Sequence, residues 1–126
     1  MGLDTTHDCW HGPYSAFHRW RVAVAKAVGI DLENMRGFAI FGETNDDIPW
    51  ESLAPDIVHV LLNHSDCEGE IAAEDCGPLA DRLEELLPLL DDTPHHSRFR
   101  TDRERARQFI AGLRLAVKNN EPVEFH

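Results

Sequence analysis

His64-Ser65-Asp66-Cys67-Glu68-Gly69-Glu70 brings an imidazole, carboxylates, a thiol and a turn-making glycine into seven residues. The stretch follows the apolar run Ile57-Val58-His59-Val60-Leu61-Leu62, where a packed element gives way to a loop on a rigid frame. Three chemistries are open to it. His64, Asp66 and Cys67 can hydrogen-bond a polar ligand. The same groups can enter a metal's coordination shell, with Glu68 or Glu70 as the base for a bound water. His64 can also activate Cys67 or Cys76 as a nucleophile. No fixed metal or nucleophile signature is completed inside the stretch, and a capped polar turn uses the same residues.

Two other sets of side chains invite the same scrutiny. His7, Cys9 and His11 are spaced by two, so an extended backbone would project all three to one face, with Asp8 and Trp10 on the other. Such a comb suits a divalent metal such as zinc, with Asp4 as a fourth ligand and His126 in the same candidate set. A half-buried terminal strand with backbone-bonded histidines is the competing expectation. Arg103 and Arg107 lie four apart, so one helix face can offer both guanidiniums to a carboxylate or phosphate. Pairing with an acidic neighbouring helix is the other use for them. Trp10, Tyr14 and Trp50 are the stacking surfaces a ligand could use.

These groups need a frame, and the apolar spacing supplies one. Ser15 can cap a helix with Phe17, Trp20, Val24 and Val28 inward and Gly29 as its stop. Residues 37–42, apolar between glycines, predict a buried strand. A helix follows from about Ser52 or Pro55 to Asn63, and another from Pro78 through Leu79, Leu83, Leu86, Leu87 and Leu90. Cys76 then precedes a helix N-terminus, where the macrodipole favours a thiolate. Thr101-Asp102-Arg103-Glu104 matches a capping box for a last helix that buries Phe109, Ile110, Leu113 and Val117. Val123-Glu124-Phe125-His126 alternates like an edge strand and can pair with 37–42. The fold expected is one α+β, mainly helical domain over 1–126, with about four helices and a small two- to three-stranded sheet. Its expected core is Phe17, Trp20, Val24, Phe38, Ile40, Leu61, Leu83, Leu86, Phe109, Leu113 and Val117.

Composition narrows the function classes. The chain has 126 residues and no apolar run approaching the roughly 20 that a membrane span needs. Its start is acidic where a secretory signal would be basic, so a cytoplasmic protein without membrane partners is expected. Three cysteines are too few and too irregular for a disulfide framework. A formal charge of −11 argues against nonspecific nucleic-acid binding. The charge is uneven. Residues 1–97 hold five of the twelve Lys and Arg and nineteen of the 23 acids, a net −14, and residues 98–126 carry a net +3. An acidic body with one basic element can pair with a second copy of itself, with a partner, or with a small anion.

Several segments together are similar to a family of small uncharacterised bacterial and bacteriophage proteins. They are the opening Met1-Gly2-Leu3-Asp4-Thr5-Thr6-His7-Asp8-Cys9-Trp10-His11-Gly12, then His64-Ser65-Asp66-Cys67-Glu68-Gly69-Glu70-Ile71, Cys76-Gly77-Pro78 and the ending Val123-Glu124-Phe125-His126. That resemblance implies a stand-alone cytosolic protein of phage type and assigns no role to any residue. The function expected is capture of a small polar or anionic ligand by a non-enzymatic binding protein. His64, Asp66, Cys67, Trp10, Arg103 and Arg107 are its binding residues. In a phage setting the ligand would be a nucleotide-derived signal. The alternative is a metal-dependent hydrolase, or a structural metal site, built on His7, Cys9, His11 and His126.

Overall fold

The computed structural model describes residues 2–38, 45–65, 68–93 and 100–126. Within them the chain forms β1 (Gly2–Asp4), β2 (His11–Pro13), α1 (Tyr14–Ala27), α2 (His59–Leu62), β3 (Glu70–Ile71), α3 (Ala73–Leu86), α4 (Asp102–Asn119) and β4 (Val123–Glu124). This is a mainly helical α+β fold with two small antiparallel sheets, β1–β2 and β3–β4. None of the described helices is long and apolar enough to cross a membrane.

α1 buries Phe17, Trp20, Arg21, Val24 and Ala25, the stripe that 3.6-residue spacing dictates. It starts one residue before the expected Ser15 cap, with Pro13 in the cap position at φ −61°, and Gly29 terminates it at φ +78°. α4 begins as its capping box requires. Thr101 Oγ1 accepts the Glu104 N–H at 3.1 Å, and the helix ends in a left-handed Asn120 at φ 53°. α3 and α4 pack along their lengths, tied outside by Arg114, whose guanidinium meets Asp81 at 2.8 Å and Glu84 at 3.1 Å.

Three expectations are corrected. α3 starts at Ala73 rather than Pro78, because the extended Ala72 ends β3 and Glu74 and Asp75 place their charge in the first turn, where it suits the helix dipole. Pro78 sits inside the helix, where it forfeits the bond its missing N–H would have made to the preceding turn and its ring crowds the carbonyl four residues back. The helix expected up to Asn63 contracts to the four residues of α2, preceded by a separate short 3-10 turn at Trp50–Ser52. The terminal strand pairs with β3, Ile71 opposite Val123, and not with 37–42. Of that segment Gly37 and Phe38 form no strand, and 39–42 lie outside the described residues.

The core gathers Leu3, Cys9, Trp10, Phe17, Trp20, Leu61, Leu62, Ile71, Cys76, Leu83, Phe109 and Leu113, all at most 1 % exposed. Val117 is not part of it. It faces outward and is 46 % exposed, while Phe38 packs on the core from its edge. Ile40 lies outside the described residues.

Candidate functional site

The amino terminus, the middle turn and the chain's end meet in one seam. Asp4 and His126 exchange backbone hydrogen bonds at 2.9 Å, and Thr5 bridges Phe125. Phe125 donates its N–H to the Gly69 carbonyl at 2.8 Å, and its ring lies 4.1 Å from that of His64. Gly69 is required at this crossing. Its φ is +93°, and a β-carbon there would sit 3.4 Å from His64 Cε1. The His64 ring is held on both sides, with Nδ1 2.7 Å from the Ser65 carbonyl and Nε2 3.1 Å from that of Glu70. Both ring nitrogens thus face backbone carbonyls, and neither is paired with a thiol among the described residues. Asp66 and Cys67, its expected companions, lie outside the described residues.

The metal comb does not form, and the reason is backbone conformation. Instead of running extended, Thr6–Asp8 form a kinked coil with His7 at φ 60° and Asp8 at φ 58°. That coil sends the three side chains apart. His7 Nδ1 pairs with Thr6 Oγ1 at 2.8 Å and Nε2 with Glu121 at 3.1 Å. His11 lies between Asp4 and Asp8. Cys9 turns inward against α4, where a β-carbon on Gly112 would come within 2.3 Å of its sulfur. Burial pushes the Cys9 thiol up to about 12, and burial also raises that of Cys76. Both are protonated thiols in the core, ill suited as nucleophiles or metal thiolates. His126 meets Asp4 through backbone alone. Among the described residues no group of three or more His, Cys, Asp or Glu side chains is arranged to hold a metal ion.

The basic segment also divides. Arg103 does not face outward with Arg107. Its Nε donates to the Leu87 carbonyl at 2.9 Å and Nη2 to that of Leu90 at 3.1 Å, closing the end of the turn after α3. Arg107 is exposed. Trp10, expected as a stacking surface, is buried among Phe17 at 5.0 Å and Trp20 at 5.5 Å between ring centroids.

One concave space adjoins the seam. It is a cleft of about 310 Å³ lined by His18, Arg21, Gly37, Phe38, Asn63, His64 and Ser65. α1 supplies His18 and Arg21 from adjacent positions of one face, three residues apart. Arg21 is 2 % exposed and lies between Phe17 at 4.6 Å and Phe38 at 5.5 Å. Its Nη1 donates to the carbonyls of Leu62 at 3.4 Å and His64 at 2.5 Å, binding α1 to the end of α2. The His18 ring stacks on Phe38 at 6.4 Å. The cleft therefore combines a buried permanent cation, two imidazoles, an amide and an aromatic wall.

The sequence marks His64 as a ligand group, but its charge pattern sets Arg21 with His18, Arg19 and Lys26 on the wetter side of α1, and the burial of Arg21 corrects that expectation. The signal was present in the spacing: Arg21 stands four residues after Phe17 and three before Val24, on the buried stripe of α1, where a charge needs an explanation. No protein-family model, no curated protein and no solved structure matches this chain.

Proposed function

We propose that this chain is a small binding protein that captures a small, polar, anionic ligand in the cleft lined by His18, Arg21, Asn63 and His64. One observation carries the reading: a nearly solvent-free guanidinium, Arg21, forms part of the wall of a concave space. Charge withdrawn from water is weakly screened, so its field reaches further into the cleft than that of a surface arginine. His18, Asn63 and Ser65 supply polar groups for orientation, and Phe38 supplies an apolar face. A nucleotide-derived signal, sequestered by a phage-type protein in the cytoplasm, is the ligand class that the family resemblance supplies. It rests on that resemblance and on general plausibility, and on no residue of the chain.

Native mass spectrometry of the protein purified from its own host tests this reading. A small anionic adduct is expected on the unaltered chain and is expected to fall at least about tenfold in His18→Ala and Asn63→Ala, a loss near 1.4 kcal/mol. Both residues lie at the cleft and outside the core, so folding is retained. Protein that carries no adduct, or the same adduct on both variants, would sink the proposal.

A further inference from the structure

The aromatic contacts that begin at His64 and pass through Phe125 and Phe17 reach Trp10, whose surroundings differ from the cleft. Trp10 is 1 % exposed, yet its indole Nε1–H meets no acceptor among the described residues. The other two indoles are satisfied. Trp20 donates to the Asp102 carbonyl and Trp50 to that of Arg36, each at 3.1 Å. Buried donors are nearly always paired, so the exception asks what acceptor belongs there.

At Gly12, β2 places no side chain beside this N–H. Gly12 has φ +152°, and a β-carbon on it would lie 3.6 Å from Trp10 Nε1 and 4.0 Å from Arg105 Nη1. Two donors therefore flank the bare backbone of Gly12, a notch only in the sense that no side chain stands there. The Arg105 guanidinium lies over the indole, with Cζ 4.3 Å from the ring centroid, and its side chain makes no hydrogen bond or ion pair with the described residues. Its surroundings are cationic. Burial lowers the Arg105 pKa, and the nearby charges of Arg100 and Arg19 lower it further, opposed by Asp102. Arg100 is held by Gln108, whose amide donates to the Asp8 carbonyl at 3.0 Å. The carboxylates of the hairpin, Asp4 and Asp8, are turned to His11.

We propose that this notch is a second anion site, which takes a phosphate monoester dianion whose oxygens accept from Arg105 Nη1 and the Trp10 indole N–H, with Arg19 beside them. Two guanidiniums with no ion pair among the described residues, and only Asp102 acting against their charge from nearby, call for a double negative charge, and a tetrahedral group can reach donors that are not coplanar. Entry requires Arg105 to tilt off the indole, which breaks a ring contact and no hydrogen bond. The site is independent of the cleft: it shares none of that cleft's lining residues.

The test is a titration of the full chain with inorganic phosphate, followed by the three indole N–H resonances. The Trp10 signal is expected to move downfield and saturate, while those of Trp20 and Trp50 stay. Arg105→Gln should weaken the apparent affinity at least about tenfold, the loss of one charge-assisted hydrogen bond. Arg19→Gln, an exposed change that cannot unfold the core, should weaken it about threefold. Arg107→Gln and His18→Ala should leave it unchanged. A Trp10 signal that does not move, or that moves equally with chloride at matched ionic strength, would overturn the site. So would a shift indifferent to both Arg105→Gln and Arg19→Gln, or one abolished by His18→Ala. Acetate binding as tightly as phosphate would overturn the assignment of a dianion.

Discussion

Arg21 and Arg105 are the same side chain laid on the same kind of surface, and the protein uses them differently. Each guanidinium covers an aromatic ring, Phe17 at 4.6 Å for Arg21 and Trp10 at 4.3 Å for Arg105. Arg21 is fully interior, and its Nη1 is spent on the carbonyls of Leu62 and His64. Arg105 is half-buried and has the ring alone. Cation–π contact is worth about 0.5–2 kcal/mol, depending on solvent access. It holds a guanidinium in place without using its hydrogens. What distinguishes a structural arginine from an available one is therefore the oxygens around it, and not the ring beneath it.

The sharpest break of that comparison is a pair of substitutions. Arg21→Ala removes the donor that joins α1 to the carbonyls at the end of α2, and with it the packing against Phe17 and Phe38. A loss on the order of 3 kcal/mol is expected from the stranded carbonyls and the emptied volume. Arg105→Gln forfeits the ring contact only, and should cost about 1 kcal/mol or less. Urea denaturation of both variants decides the matter. If the two losses were equal, Arg105 would also be a structural clamp and the contrast would disappear.

The next substitution acts on one end alone. At Gly112 on α4 a β-carbon would lie 2.3 Å from Cys9 Sγ and 2.8 Å from the His7 carbonyl, far inside contact distance. Gly112→Ala must push the Thr6–Asp8 coil off the helix and carry Trp10 and Gly12 with it. Overpacking of this kind costs about 1–3 kcal/mol. Cys9→Ala in the same chain relieves the sulfur clash and leaves that with the carbonyl, so it should restore part of the loss. In the single variant the Trp10 indole resonance should shift while the His64 ring signals hold. Movement of both would show that the two ends are mechanically one.

These elements were unequally legible in the sequence. α1 and α4 announce themselves locally, through the stripe from Phe17 to Val24, Gly29 as a stop and the Thr101 box, because a helix is closed by bonds between near neighbours. β3 and β4 are two residues each, and Ile71 meets Val123 across more than fifty residues, a pairing to which no local pattern points. The His7, Cys9, His11 spacing was visible, but its meaning depended on an extended backbone. Two left-handed residues in succession, His7 and Asp8, remove that premise, and neither is glycine to give warning. Arg103 and Arg107 were paired by helical spacing. The spacing is correct, but the carbonyls of Leu87 and Leu90 that capture Arg103 come from another element. The convergence of His64 with the chain's end is real, and it produces a packed seam with a cleft beside it.

The smallest expected effect separates the two ends by pH. The His11 ring lies between two carboxylates, Nδ1 2.7 Å from Asp4 and Nε2 beside Asp8. Carboxylates only accept, so both nitrogens must carry a hydrogen. The Asp4 bond is the main force raising the His11 pKa above 6.5, and Asp8 adds to it. A folded pKa above the unfolded one means the stabilisation is complete below about pH 6.5 and is lost as pH rises through the folded value. The β1–β2 hairpin should therefore loosen across that interval, and with it the Gly12 notch, as Asp4 and Asp8 lose their shared proton donor. The measurement is the amide protection of β1 and β2 against that of β3 and β4, corrected for intrinsic exchange, between pH 6 and 9. Protection in β1–β2 should fall and that in β3–β4 should hold, and His11→Gln should flatten the difference because a neutral amide does not titrate. His11 is half exposed and water weakens its pairs, so the change will be modest. Parallel profiles for the two sheets would mean that His11 decorates the hairpin and does not hold it.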